Sequence, residues 1–312
     1  PLTQERWSVR NVNAVTLGGA KAPLNTGEVV FDYRGDTMMG GEIRLSDVDV
    51  GGVAALARSL PITPALARRL QAAQPMGALH NLDVKWRDQG EVVVGNQERY
   101  FIEGSADLKA LSWKRHGDVP GVTGLSGTIK GSTRAGEFRL GEATVAKKPE
   151  RNKRPTVIDF GTHFEAPLAF DQLHASINWR RTVNADRTVA TNLNITSADF
   201  ENADVAGRFS GTWLNDKLGP GVANIIGTLS RADITAVHRY LPTATSTHTR
   251  SWLRQAVIAG AATEATFSVK GALWHFPFHN DEHGVFTLDA RVNGGILDYA
   301  DHWQRAENID TT

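Results

Sequence analysis

Apolar and polar residues alternate with a period of two along most of this 312-residue chain. Leu173, Ala175, Ile177 and Trp179 fall on one parity, and His174, Ser176 and Asn178 on the other. The same alternation sets Leu193 and Ile195 against Asn192 and Asn194. It also sets Phe209 and Trp213 against Arg208, Ser210 and Thr212. Ile225 with Leu229, Phe267 with Val269, and Phe286 with Leu288 continue it. In the first half, Ile43 with Leu45, Leu82 with Val84 and Trp86, Leu125 with Ile129, and Phe138 with Leu140 do likewise. Each segment predicts a β-strand with one apolar face. Arg134-Ala-Gly136 and Asn293-Gly-Gly295 read as hairpin turns between such strands. About a dozen strands of this kind predict a largely antiparallel sheet.

Two stretches break the alternation, and they resemble each other. One covers about 49–77, from Asp49 through Leu60-Pro61 and Leu70 to Gly77. The other covers about 233–260, from Asp233 through Leu241-Pro242 and Leu253 to Gly260. Both start on an Asp suited to an N-cap, stop at a Leu-Pro, restart from Ser/Thr, and end on a Gly. Each predicts a short helical pair leading into a strand. Together they define an internal repeat of about 180 residues. The predicted organisation is a first β unit over 1–146, a basic, Pro-bounded linker over 147–155, and a second β unit over 156–312.

Charge and composition narrow the functional classes. Lys plus Arg and Asp plus Glu both number 34, so no global field recruits nucleic acid. There is no cysteine, which excludes disulfides, thiolate metal sites and cysteine nucleophiles, and suits an oxidising compartment. No run reaches the roughly 18 apolar residues of a membrane span, and no signal segment opens the chain. The start at Pro1 and the stop at Thr312 read as those of a piece excised from something longer, with any anchor outside it.

Motifs for nucleophile elbows, phosphate loops and dinucleotide sites are missing. His275, His279 and His283, with Asp281 and Glu282, could in principle supply metal ligands. Pro277, however, prevents the helix that would align them, and a polar hairpin loop is the expected reading. Asp47 and Asp49 precede a helix, where capping is expected rather than acid–base chemistry. No catalytic residue, cofactor or metal is therefore expected.

One-sided strands must cover their apolar face. Two short helical pairs cannot cover a dozen strands. Either two sheets face each other as a dry sandwich, or one long sheet curls around a ligand. In the second case an acyl chain is a suitable ligand. Each CH₂ moved out of water is worth about 0.8 kcal/mol, so a ~16-carbon chain contributes on the order of 10 kcal/mol.

Several motifs carry a family resemblance: Tyr240-Leu-Pro242, Arg250-Ser-Trp-Leu253, Gly260, Gly271-Ala-Leu273, Phe276-Pro-Phe278, Gly284-Val-Phe286 and Gly295-Ile-Leu-Asp-Tyr-Ala300-Asp-His-Trp303. Leu60-Pro61, Gly77 and Gly121-Val-Thr-Gly-Leu-Ser-Gly127 fit as well. The chain resembles the YhdP-type branch of the AsmA-like envelope proteins of Gram-negative bacteria. It departs from their pattern at Gln304, where the family usually has Pro after the Trp. The resemblance implies a mainly β fold, a long, curled, largely antiparallel sheet forming an elongated hydrophobic groove with two short helical-pair insertions. It implies a periplasmic location within an inner-membrane-anchored protein, and non-enzymatic phospholipid movement between inner and outer membranes. The expected partners are phospholipid acyl chains, the two membranes through parts outside this chain, and envelope proteins, with no nucleic acid. The residues expected to contact acyl chains lie on the apolar faces: Ile177, Trp179, Leu193, Ile195, Phe209, Ile225, Phe267, Val269, Phe286 and Leu288.

Overall fold

A computed structural model describes residues 3–9, 12–15, 21–24, 27–55, 64–90, 100–117, 119–141, 155–184, 188–215, 219–278, 283–300 and 303–311. The protein is mainly β and its sheet is antiparallel and not closed. The linker expected over 147–155 and the Leu60-Pro61 step fall almost entirely outside the described residues. The chain forms two compact units, one of residues 1–148 with 178–191, the other of 149–177 with 192–312.

In the first unit the strands are β1 (Thr3–Val9), β2 (Val12–Val15), β3 (Lys21–Leu24), β4 (Gly27–Arg34) and β5 (Thr37–Asp49). Helices α1 (Val50–Ala55) and α2 (Pro64–Ala73) follow, then β6 (Met76–Asp88), β7 (Tyr100–Trp113), β8 (Gly121–Ser132) and β9 (Ala135–Leu140). The antiparallel ladder runs β1–β4–β5–β6–β7–β8–β9, with β3 joining β5 at Leu24 and Val48.

The later strands are β10 (Thr156–Asp159), β11 (Leu168–Phe170), β12 (Gln172–Val183), β13 (Val189–Glu201), β14 (Val205–Asn215) and β15 (Val222–Asp233). A 3-10 helix (Ile234–Tyr240) and α3 (Thr247–Ala256) lead into β16 (Val257–Ala272), β17 (Gly284–Leu297) and β18 (Ala306–Thr311). The second unit pairs β14–β15–β16–β17–β18 in chain order, all antiparallel.

The helical pairs start where their caps require. Asp49 Oδ1 accepts from the Gly51 and Gly52 amides at 3.0 and 3.3 Å, and Asp233 Oδ1 accepts from Thr235 N at 2.9 Å. Ser246 Oγ accepts from Thr249 N at 3.0 Å and starts α3. The first helix of the second pair is 3-10 rather than α. Asp47, expected to share the capping role, instead binds His80 Nδ1 on the neighbouring strand.

The repeat extends into backbone conformation. Gly77 and Gly260 follow α2 and α3 and both take positive φ, 108° and 135°. A Cβ on Gly77 would come within 2.7 Å of the Ala110 carbonyl oxygen, so only glycine fits. Four residues on, Asn81 and Glu264 both adopt left-handed φ, 52° and 53°. At each, the ladder to the next strand slips. The slip lets Ala262 and Ala265, three residues apart, both be buried at 4% and 1% exposure. Asn293-Gly-Gly295 is not a turn but an irregularity inside β17: Gly294 takes φ 60° and donates to Asp310 Oδ1 at 2.8 Å, and the pairing with β18 shifts there.

Two hairpins share a staple. Trp113 Nε1 donates to the Pro120 carbonyl at 2.8 Å, and Trp213 Nε1 to the Pro220 carbonyl, also at 2.8 Å. Each Trp follows Ser or Thr and each Pro precedes Gly-Val. Indole donors on a half-buried strand face thus hold the loop that starts the next strand.

The core is thin. Its buried apolar residues are chiefly small or aliphatic, such as Ala198, Ala223, Ala236, Ala256 and Ala265, and among the described residues no large side chain is completely buried. Glycines accept the rings that a second layer would otherwise cover. The Phe267 ring fills the space over Gly227, where a Cβ would meet Phe267 Cζ at 2.3 Å and the Arg208 carbonyl at 2.8 Å. Gly227→Val is expected to lower stability by about 1–3 kcal/mol, because the clash includes backbone that cannot rotate away. A urea titration compared with the wild type measures it, and an unchanged midpoint would show that the ring is not held there.

Candidate functional site: the apolar strand face

In the second unit, strand register assembles the predicted apolar positions into rows. One row runs Gly211–Ile225–Val269–Phe286 and the next Phe209–Gly227–Phe267–Leu288. Directly opposed residues of antiparallel strands share a face, so these six large side chains form one surface. Its edge is open: Phe286 is 37% and Leu288 50% exposed. Aromatic contacts extend it across neighbouring strands, with Phe170–Phe200 and Phe200–Phe209 centroids both 6.0 Å apart. Phe276 lies 5.5 Å from Phe286, and Phe278 packs on Gly284, so the Phe-Pro-Phe segment folds back onto the start of β17.

The alternate positions build a polar reverse side. Arg208 Nε donates to Asp199 Oδ1 at 2.5 Å, and Ser268 Oγ and Thr287 Oγ1 are 2.7 Å apart. Ile177, Leu193 and Ile195 are half-buried on β12 and β13, between exposed Asn178, Asn192 and Asn194.

The first unit repeats this construction. Val29–Ile43–Val84–Gly104 and Phe31–Gly41–Trp86–Ile102 form rows. Trp86 lies across Gly41 and meets Phe31 edge-on at 6.0 Å. Trp179, the remaining predicted residue, lies across Gly131 and Gly136, and its Nε1 donates to the Ser132 carbonyl at 3.3 Å. Glu42, Arg44, Asp83 and Lys85 interact on the reverse side.

The helical pair covers part of the second unit's face beside the start of β16. Ile234 occupies the space over Gly260, and Ala236 and Ala256 are buried. Arg250, 7% exposed, ties the pair down. Its Nε donates to Glu165 Oε1 at 3.0 Å, and its Nη1 donates to the Thr243 carbonyl at 2.9 Å and to the Thr245 carbonyl. Arg254 adds a second bond to Glu165 at 2.6 Å. The Arg250 hydrogen bond, with the charges of both arginines, holds the Glu165 carboxyl below its ordinary 4.5, against a smaller opposing effect of burial. Tyr240 is tied to Asn202 and Asp204, and burial pushes its phenol above the usual value despite the Asn202 bond. Sequence reasoning placed Arg250 in a motif but missed this role, since Glu165 is distant in the chain and follows no periodicity.

The polar candidates lie elsewhere. Asp47 binds His80, and Asn81 Nδ2 donates to Asp107 Oδ2 at 2.6 Å. They line a shallow depression of about 550 Å³ together with Lys109 and Thr128. His275 and His283 stack with centroids 4.0 Å apart, while His279, Asp281 and Glu282 lie outside the described residues. Among the described residues no three His, Asp or Glu side chains are grouped to hold a metal ion.

These features define a class: an antiparallel β protein whose open apolar strand faces are its principal assembled surface. The chain belongs to the YhdP protein family, whose model matches residues 2–312. No curated protein and no solved structure matches it. No helix among the described residues is long and apolar enough to cross a membrane.

The Arg250 tie makes two predictions. Arg250→Met leaves the Thr243 and Thr245 carbonyls without this donor and is expected to cost about 2–3 kcal/mol in a urea titration. Glu165 is tied more tightly as a carboxylate, so its contribution is complete above 4.5 and is lost as pH falls through its lower folded value. The difference in melting temperature between wild type and Glu165→Gln should therefore be constant near neutrality and vanish in acid. A difference that grows on acidification would contradict the assignment.

Proposed function

We propose that the chain is a non-enzymatic lipid-conducting segment of a bacterial envelope protein, whose apolar strand faces form a hydrophobic groove that carries phospholipid acyl chains between inner and outer membranes. The observation that carries this reading is the row Phe209–Gly227–Phe267–Leu288, which ends half-exposed at Leu288 instead of under a covering layer. A soluble protein gains about 25 cal/mol for each Å² of apolar surface it removes from water, so a face left open in this way favours an apolar ligand. Membership of the YhdP family and the lack of cysteine agree with an envelope setting, which we place in the periplasm. The helical pairs brace the face, and no catalytic group, metal or cofactor takes part.

Photo-crosslinking amino acids at Phe267 and Leu288 are expected to capture phospholipid in cells, and the same probes at Ser176, Asn194 and Ser268 should not. Equal capture from both sets of positions would remove the assignment of the conducting face. Mass spectrometry of the purified protein should find co-purifying phospholipid, and its absence would favour a dry structural module.

A further inference from the structure

The internal repeat separates what the fold needs from what one unit has added. Beyond Gly77 with Gly260 and Asn81 with Glu264, it carries through the next strand. Ala110 and Gly294 both take left-handed φ, 48° and 60°. Each amide donates to a side chain of the following strand, Ser126 Oγ at 3.0 Å and Asp310 Oδ1 at 2.8 Å. Measured from these fixed points, three aromatic residues of the second unit have no aromatic counterpart. Trp252 precedes Leu253 where Arg69 precedes Leu70, and Tyr299 and Trp303 follow Gly294 where Arg115 and Val119 follow Ala110. The first unit builds the same backbone without these rings, so packing does not require them.

The three are gathered in one place. Trp252 Nε1 donates to the Tyr299 carbonyl at 3.0 Å, and the rings of Tyr299 and Trp303 lie 5.7 Å apart, tilted by 51°. All three are open to solvent, Trp252 at 40%, Tyr299 at 39% and Trp303 at 68% exposure. Trp252 stands on the outward stripe of α3, away from the buried Arg250 and Ala256. His248 and Gln255 lie one turn to either side of it, Ser251 one turn from both, and all are exposed.

Area and chemistry select the occupant. An aromatic side chain offers roughly 150–250 Å², so these exposures leave on the order of 300 Å² uncovered. That is well short of the roughly 800 Å² per partner of a stable protein interface. The α3 stripe holds one apolar residue among three polar ones, whereas a helix lying in a bilayer surface presents a continuous apolar face. A pyranose suits both parts of the surface. Its axial C–H groups form an apolar, weakly positive face that stacks on the electron-rich face of an indole or phenol ring. Its hydroxyls exchange hydrogen bonds with amide, imidazole and hydroxyl groups beside the rings. We infer that Trp252, Tyr299 and Trp303 form a docking surface for a glycan chain of neutral pyranose units, with His248, Ser251 and Gln255 meeting its hydroxyls. This surface lies on the outward side of the helical pair and is independent of the acyl-chain reading.

Titration of the whole chain with cellotetraose and with tetra-N-acetylchitotetraose, followed by saturation-transfer NMR of the sugar, tests the surface. Wild type should bind at least one of the two. Trp303→Ala is expected to weaken that binding by about tenfold or more, and Trp303→Phe, which keeps a stacking ring, to restore most of it. Trp274→Ala should leave binding unchanged, since it removes a ring of 75% exposure at the other end of β16. A urea midpoint equal to that of wild type shows that each variant is folded. Failure of both sugars to bind overturns the glycan surface, as does a loss of binding in Trp274→Ala equal to that in Trp303→Ala. Without sugar binding, Trp303-dependent association with phosphatidylcholine vesicles assigns the rings to a lipid surface instead, and Trp303-dependent dimerisation in the ultracentrifuge assigns them to a second copy.

Discussion

Each unit depends on how its antiparallel strands shield an apolar face. Large side chains lie down across glycines of the neighbouring strand, as Trp86 does on Gly41, Trp179 on Gly131 and Gly136, and Phe267 on Gly227. Each ring lies against the backbone of its glycine and stays only part-buried. This arrangement removes part of the apolar area from water within a single layer of strands. It also keeps the rows continuous, because the glycine leaves a slot into which its neighbour fits. The consequence is that, among the described residues, no large side chain is fully buried and several large ones are half-exposed.

Such a surface needs limits, and the helical pairs and bulges supply them. A 3-10 helix and α3 place alanines and Ile234 over the beginning of β16, and Arg250 ties the connecting loop to Glu165. Asn81 and Glu264 then break strict alternation just after the helices. Apolar residues three apart can in this way serve the same side, and the strand bends as it leaves the helical region.

The polar reverse side has a different character. Its ion pairs are exposed and each is worth little in water. Their service is solubility and register, since a one-residue slip would carry Arg44, Lys85 or Arg208 onto the apolar side. The Asp47–His80 bond belongs to this system and stabilises the pairing of β5 with β6 where the alternation is about to slip.

Period-two alternation located β5, β6, β8, β9 and β12 to β17 with their apolar positions, because burial on one side of a pleated strand is a local, sequence-periodic constraint, whereas β7 and the short strands β1 to β4, β10, β11 and β18 were not read from it. Cap residues were legible for the same reason: Asp49, Asp233 and Ser246 act within three residues of themselves. The duplicated Trp–Pro staple was also present in the chain as a repeated Ser/Thr-Trp and Pro-Gly-Val spacing, but no local periodicity draws attention to it. Other features follow from contacts between distant residues. Asn293-Gly-Gly295 looks like a turn and becomes a bulge because Asp310 binds it from the next strand. Arg250 is buried because Glu165 meets it. Sequence alone determined which residues are apolar together; only tertiary pairing decided which rings lie over which glycines, and which distant charges meet, as Arg250 meets Glu165.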